Sequence, residues 1–299
     1  MRWQLGRRSQ NVEDRRGMSP TRGFPMPRGI PMSRGVRRGG LGGIGLLLLL
    51  LLGFCYGFDP GMLMQGDSVT NVPYAPAPQA PRSGVDDEMG QFVATVLGYT
   101  EDTWDDLFAS MGQQYRAPTL VLFSGAVDSA CGFAQAAMGP FYCPADEKLY
   151  IDLAFYREMR DRFGAPGDFA QAYVIAHEVG HHVQNQLGIA QEVQSLRQQV
   201  DEVQSNALSV MMELQADCFA GVWANHTERS QGFLEEGDLE EGLNAAAAIG
   251  DDRMQRRAQG YVIPDAFTHG SSAQRVHWFR EGLATGNLKA CDTFNAERM

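Results

Sequence analysis

Asp168-Phe169-Ala170-Gln171-Ala172-Tyr173-Val174-Ile175-Ala176-His177-Glu178-Val179-Gly180-His181-His182-Val183 is the stretch that decides how this 299-residue chain is read. Asp168 suits a helix N-cap and Gly188 suits the stop beyond Leu187, so we expect one helix from Asp168 to about Leu187. Its flanks (Val174, Ile175, Val179, Val183) are apolar, which predicts a buried helix. His177 and His181 are four residues apart, so their imidazoles leave one face about a turn from each other. Glu178 stands beside them. A polar trio buried on an apolar helix is costly without a partner, and a metal ion is the partner that fits. His182 points about 100° away from His181 and is expected to be structural.

Two histidines leave a catalytic zinc one protein ligand short, since such sites use three and keep a position open for water. Glu213-Leu214-Gln215-Ala216-Asp217 supplies a candidate. Leu208, Met211, Met212, Phe219, Val222 and Trp223 make this stretch an amphipathic helix, expected to run at least from Ser205 to about Asn225. Glu213 and Asp217 share one of its faces. We read His177, His181 and Glu213 as the metal ligands, and Asp217 as the acceptor for the outer N–H of a ligating histidine. Small residues around them (Ala216, Cys218, Ala220, Gly221) suit close helix packing better than exposure.

Charge is distributed unevenly. Residues 1–58 hold ten Arg against Glu13 and Asp14, a net +8, which leaves −19 of the whole-chain −11 on residues 59–299. An acidic body argues against nucleic acid as a partner, because phosphate contacts need clustered Lys and Arg. Residues 1–40, rich in Arg, Gly, Pro and Ser, are expected to be a disordered basic tail. Residues 41–58, with Leu46 through Leu52 at their centre, are expected to be a transmembrane anchor at the short end of what spans a bilayer. Cleavage as a signal peptide, or lipidation at Cys55, is the competing reading. The arginines before this run and their absence after it until Arg82 predict a single-pass protein, N-terminus cytoplasmic, body periplasmic or extracellular. Residues 59–84 contain a proline-rich spacer, and a domain is expected over 85–299. Its four cysteines suit an exported body with two disulfides. Of the three possible pairings we favour Cys131–Cys143 and Cys218–Cys291; zinc-binding cysteines are disfavoured because no CxxC spacing occurs.

Elsewhere in the domain, helices are expected over Asp86–Tyr99, Glu101–Met111 and Phe155–Phe163. Strands are expected at Thr119–Phe123, Phe141–Cys143 and Lys148–Asp152. Asp238 and Glu241 have capping-box spacing and open a helix running through Ala245–Ala248 toward Ala258. Ser272 is expected to cap a last helix ending near Gly286. The fold class is helix-dominated α+β with a small sheet.

The chain resembles the bacterial neutral zinc metallopeptidase family. The resemblance begins at Arg7-Arg8-Ser9-Gln10-Asn11-Val12-Glu13-Asp14-Arg15-Arg16-Gly17. It continues through Ser129–Gly132, Gly139–Pro144, the His177–His182 run and Glu213–Gly221, and ends with Phe267-Thr268-His269-Gly270-Ser271-Ser272-Ala273-Gln274-Arg275. It implies a zincin-like fold with a glutamate as third ligand. We therefore expect a membrane-anchored zinc metalloendopeptidase holding one Zn2+ per chain and acting on protein or peptide. A metal-activated water would attack the peptide bond with Glu178 as general base. His269, in a loop just before a helix start, is the candidate that steadies the oxyanion, with Arg275 and Tyr261 behind it. Lys148–Asp152 is expected to line the cleft and pair with an extended substrate. The rival readings are a non-catalytic, zinc-stabilised envelope binding module and a zinc amidase acting on cell-wall peptide.

Overall fold

The computed structural model describes residues 1–18, 82–83, 85 and 87–295. Leu120, Val121 and Leu122 are fully buried, as a strand covered on both faces requires. They belong to a five-stranded sheet in the order β2-β1-β3-β7-β6. In chain order the strands are β1 (Val12–Asp14), β2 (Arg82–Ser83), β3 (Thr119–Phe123), β4 (Ala126–Ser129), β5 (Gly132–Gln135), β6 (Phe141–Cys143) and β7 (Lys148–Asp152). β3 runs parallel to β1 and β7, while β6 and β2 run antiparallel to their neighbours. β4 and β5 form a separate hairpin, and the Cys131–Cys143 disulfide ties its turn to β6. β7 is bonded on both sides, by β3 and β6, so its expected pairing with a substrate strand is ruled out. The edge on that side is β6.

The helices are α1 (Glu88–Ser110), α2 (Ala154–Glu158, continued by a π turn over Met159–Phe163), α3 (Asp168–Gln186), α4 (Ile189–Arg197), α5 (Glu202–Gln231), α6 (Asp238–Ala248), α7 (Asp251–Gln259) and α8 (Ser272–Thr285). The fold is the expected helix-dominated α+β class with small sheets. Several expected boundaries shift. α1 is one helix, because Thr100 and Glu101, which look like a break in sequence, are buried inside it. The expected helix from Asp238 divides at Ile249-Gly250, where a Cβ on Gly250 would collide with the Ser272 backbone. Asp238 makes no capping box; its carboxylate accepts the Glu235 N–H. The last helix is capped by Ser271 instead, in a capping box with Gln274.

α5 and α8 pack closely enough that a Cβ on Gly221 would strike the Phe279 carbonyl, and one on Gly282 the Cys218 carbonyl. The Cys218–Cys291 disulfide fastens the chain end to the same region, so both expected pairings are formed. Gly180 of α3 faces Ala216 of α5, where a Cβ would lie 3.0 Å from the Ala216 carbonyl oxygen. This smallest of residues lets the two helices meet where their polar side chains face each other.

The disordered tail expected over residues 1–40 is corrected for its first eighteen. Met1, Trp3 and Val12 lie in the main hydrophobic core, with Trp3 edge-on to Phe92. The Met1 ammonium donates to Asp168 at 2.8 Å and to Asp238 at 3.3 Å. Asp168 is thus the first residue of α3 and an ion-pair partner, while Gly167 takes the cap position without a side-chain bond. Arg7 binds Glu101 and Asp102, Arg15 binds Glu13, and Arg16 binds Asp14 and Asp87.

Among the described residues no helix is long and apolar enough to cross a membrane, and the anchor expected at 41–58 lies outside them. Residues Met1–Pro20 and Ala80–Met299 fall in one compact unit. Segments that share a core lie on one side of any membrane. A single crossing between them, with the N-terminus and the body on opposite sides, therefore does not fit this fold. Leu5, fully exposed, and Met254, 39% exposed, offer labelling positions on the two segments. Leu5→Cys and Met254→Cys, each in a Cys55→Ser background, are expected to react alike with a membrane-impermeant thiol reagent on intact cells. Labelling of one and protection of the other would contradict the shared core.

Candidate metal centre

α3 is buried nearly all round: Ile175, Val179 and Val183 lie on one side and His177 and His181 on the other, with Tyr173 and Gln184 beside them. α5 lies against it across Gly180 and brings Glu213 between the two rings. His177 Nε2 is 3.2 Å from Glu213 Oε2, and His181 Nε2 is 3.4 Å from Glu213 Oε1. One ligand atom from each of the three residues lies within 4.8 Å of the others. Tetrahedral zinc with bonds of about 2.0–2.1 Å needs ligand atoms roughly 3.3 Å apart. The donor set and its spacing fit zinc.

Each histidine is held from behind. His177 Nδ1 donates to Asp217 Oδ1 at 2.8 Å, and His181 Nδ1 donates to Gln184 Oε1 at 2.9 Å. Both Nε2 atoms are thereby left for the metal. Asp217 stands where the sequence placed it, buried on α5. Three neighbours saturate its carboxylate: the Tyr173 hydroxyl, His177, and Arg275, which donates from Nε at 2.8 Å and from Nη2 at 2.9 Å. Arg275 is 2% exposed, so its expected candidacy as an oxyanion donor fails. It is the counter-charge of Asp217 instead.

Burial works against a charge on His177, but the Asp217 carboxylate, with help from Glu213, outweighs it and raises the pKa to about 10. For His181 burial again opposes the charge and Glu213 overrides it, raising the pKa. Burial disfavours ionisation of Glu213, yet the two imidazoles hold its carboxyl well below the usual carboxylate range. Protons on the imidazoles thus hold the place of a cation, and a divalent metal would displace them. Zinc affinity is therefore expected to rise with pH, about tenfold per unit for each proton displaced, over roughly pH 6 to 9. Calorimetry in buffers of different ionisation enthalpy would count those protons; an affinity flat across this range would contradict the charged cluster.

Glu178 follows His177 directly, is 8% exposed, and has no hydrogen-bond partner among the described residues. Its carboxylate is therefore not engaged by another described side chain. His182 is structural, as expected: Nδ1 meets the Tyr142 hydroxyl at 3.0 Å and Nε2 the Arg116 carbonyl at 2.6 Å. Burial lowers its pKa. His269 is half exposed in the loop before α8, close enough to Glu213 and Arg275 for their charges to act on it. Tyr261 is 59% exposed just beyond α7, and among the described residues it has no hydrogen bond to the cluster. A second trio, Asp168, Asp238 and Glu241, also meets the spacing for a cation, but the Met1 ammonium already binds two of its members.

The sequence reading missed Tyr173, Gln184 and the buried role of Arg275. Tyr173 and Gln184 were within reach: one lies a turn before His177, the other three residues after His181, so both share the ligand face. Arg275 is 58 residues from Asp217, and nothing local marks the pairing.

No solved structure matches the chain. The uncharacterized protein YpfJ of Escherichia coli strain K12 is 51% identical over 296 residues, covering 98% of this chain and 99% of its own length. The uncharacterized protein Rv2575 of Mycobacterium tuberculosis strain H37Rv is 39% identical over 251 residues, covering 80% and 84%. The family described as putative neutral zinc metallopeptidase matches residues 1–294. With a metal-ready His-His-Glu cluster and this full-length match, the chain belongs to the putative neutral zinc metallopeptidase family.

Proposed function

We propose that the protein is a zinc-dependent endopeptidase holding one zinc per chain on His177, His181 and Glu213. The observation that carries the reading is the convergence of these three ligand atoms beside a buried Glu178 whose carboxylate has no hydrogen-bond partner among the described residues. Zinc held there would supply Lewis acidity and lower the pKa of a water at the site. Glu178 takes the proton from the attacking water and returns it to the leaving nitrogen. His269 donates to the carbonyl oxygen as charge develops on it. Asp217 and Gln184 keep the two imidazoles turned so that Nε2 faces the cluster.

A groove of about 710 Å³ runs between α5 and α8 from Leu214, the neighbour of Glu213, to Trp278. None of the metal-cluster residues lines it, so it touches the centre only through Leu214; its mainly apolar wall suits hydrophobic side chains of a peptide reaching past the metal. A site that served only to staple helices would have no use for a carboxylate beside an open position, and this weighs against the non-catalytic reading.

The full chain, purified with its metal content measured, is incubated with an unfolded protein and, separately, with peptidoglycan peptide fragments. Cleavage of the unfolded protein that a chelator abolishes and zinc restores supports the endopeptidase. Cleavage confined to the peptidoglycan fragments would replace it with the amidase. A zinc-loaded chain cleaving neither would leave the non-catalytic module.

A further inference from the structure

The loop that carries His269 is fastened at both ends of its turn by the first two residues of α7. Asp251 Oδ2 accepts the backbone N–H of Thr268 at 2.7 Å, of His269 at 2.6 Å and of Gly270 at 3.1 Å. Its other oxygen lies 3.2 Å from His269 Nδ1. The Asp251 N–H donates back to the Gly270 carbonyl at 2.8 Å. Asp252 extends the clamp, accepting from the Ser272 backbone N–H and from its hydroxyl, both at 2.7 Å. Four of the five amides from Thr268 to Ser272 are thus gathered by two neighbouring carboxylates, and the fifth, that of Ser271, donates to Gln274 Oε1. This is more than a surface turn needs, because exposed amides can be satisfied by water.

The consequence falls on one side chain. With the Asp251 carboxylate beside it, His269 Nδ1 carries a proton and donates it, with the Thr268 hydroxyl 3.0 Å away on the same nitrogen. Nε2 has no hydrogen-bond partner among the described residues, and the ring is half exposed. The ring lies near Glu213, and Gly270, the next residue, packs on Leu214 and Val210 of the helix bearing that ligand. The loop therefore sits against the metal-binding helix with one imidazole nitrogen fixed and the other free.

We infer that Asp251 is a positioning residue for peptide hydrolysis, holding the His269 ring by its Nδ1–H so that Nε2 faces outward and, in the imidazolium form, its N–H donates to the substrate oxygen beside the metal site. This rests on the peptidase reading for its catalytic half. The geometric half stands without it. The partners facing His269 are Asp251, Glu213 and Arg275, and Asp251 is the one that both bonds the ring and fixes its backbone. Its hydrogen bond is also the leading cause that raises the His269 pKa, ahead of burial, which lowers it. That shift enlarges the imidazolium fraction able to donate from Nε2.

Two measurements on the full zinc-loaded chain test this. In the first, nitrogen NMR of the His269 ring reads its protonation and orientation without any substrate. The expected spectrum has Nδ1 protonated and hydrogen-bonded in the wild type, with that signature lost in Asp251→Asn while zinc content and melting temperature stay near wild type. A wild-type ring with Nδ1 unprotonated or averaging freely would overturn the proposal, whatever the substrate. In the second, Asp251→Asn is expected to lower kcat at least about tenfold with KM little changed, and His269→Ala to lower it about 10²- to 10³-fold. Asp251→Asn added to His269→Ala should cost nothing further. An equal loss in both backgrounds would assign Asp251 a structural role only. If no substrate is cleaved at all, the peptidase reading fails while the ring measurement still decides the positioning claim.

Discussion

Glu178→Gln is expected to bind zinc as the wild type does and to lose about 10²- to 10⁴-fold in kcat. That loss corresponds to roughly 3–5 kcal/mol of transition-state stabilisation, at 1.36 kcal/mol per factor of ten. The reasoning starts from burial. At 8% exposed and with no side-chain hydrogen bond among the described residues, Glu178 contributes little to the fold that an amide would not, so stability should change little. Gln keeps the shape but can neither take a proton from water nor return one to the leaving nitrogen. KM should move little, since the carboxylate acts on the water and not on substrate binding. His177→Ala makes the necessary contrast: it should lose activity and zinc together, because it removes a ligand and strands Asp217 with one donor fewer. A Glu178→Gln protein with zinc bound and kcat unchanged would remove Glu178 from the mechanism. One without zinc would show that the residue supports the metal site instead.

The division between what the sequence disclosed and what it concealed follows the range of the interactions. Spacing along one helix is a local property, so His177, Glu178 and His181 were legible from four-residue periodicity. Glu213 and Asp217 were legible for the same reason on a second helix, and their joining to the first needed only the assumption that a two-histidine site wants a carboxylate. The disulfide pairs followed from proximity in one case and elimination in the other. By contrast, the first eighteen residues read as disordered because their arginines form no local pattern. Their partners are Glu101, Asp102 and Asp87 on the far side of the spacer, together with their own Glu13 and Asp14. A three-residue strand such as β1 also has no periodicity to detect. The one sequence signal that marked this segment as part of the domain was the family resemblance starting at Arg7. The expected single-pass topology rested on the same reading, since it depended on the tail being separate from the body. The Asp251 clamp was hidden because its first bonds go to backbone N–H groups, which carry no residue identity.

Asp217 is where stability and metal binding meet, and separating the two gives the second large effect. Its carboxylate is fully buried with Arg275, His177 and Tyr173 around it. Burial opposes its ionisation, but Arg275 and His177 outweigh that and hold its pKa below the ordinary aspartate value. Asp217→Asn would leave the Arg275 guanidinium buried without a counter-charge, a change that costs about 3–5 kcal/mol. Urea unfolding of the metal-free protein should show a loss of that size. The same substitution also replaces the anionic acceptor of His177 Nδ1–H with a neutral amide oxygen, so zinc affinity should fall about 10- to 100-fold. Replacing both partners, as in Asp217→Asn with Arg275→Met, removes the stranded charge. Most of the lost stability should then return, because an apolar residue of similar volume replaces a desolvated ion. Zinc affinity should not return, since His177 still lacks an anionic acceptor. The two readouts therefore move together in the single variant and apart in the double. If the double variant recovered zinc affinity along with stability, Asp217 would act on the metal only through the fold. If it recovered neither, the Tyr173 hydroxyl, left with a weaker acceptor in both variants, would be the larger part of the network's contribution.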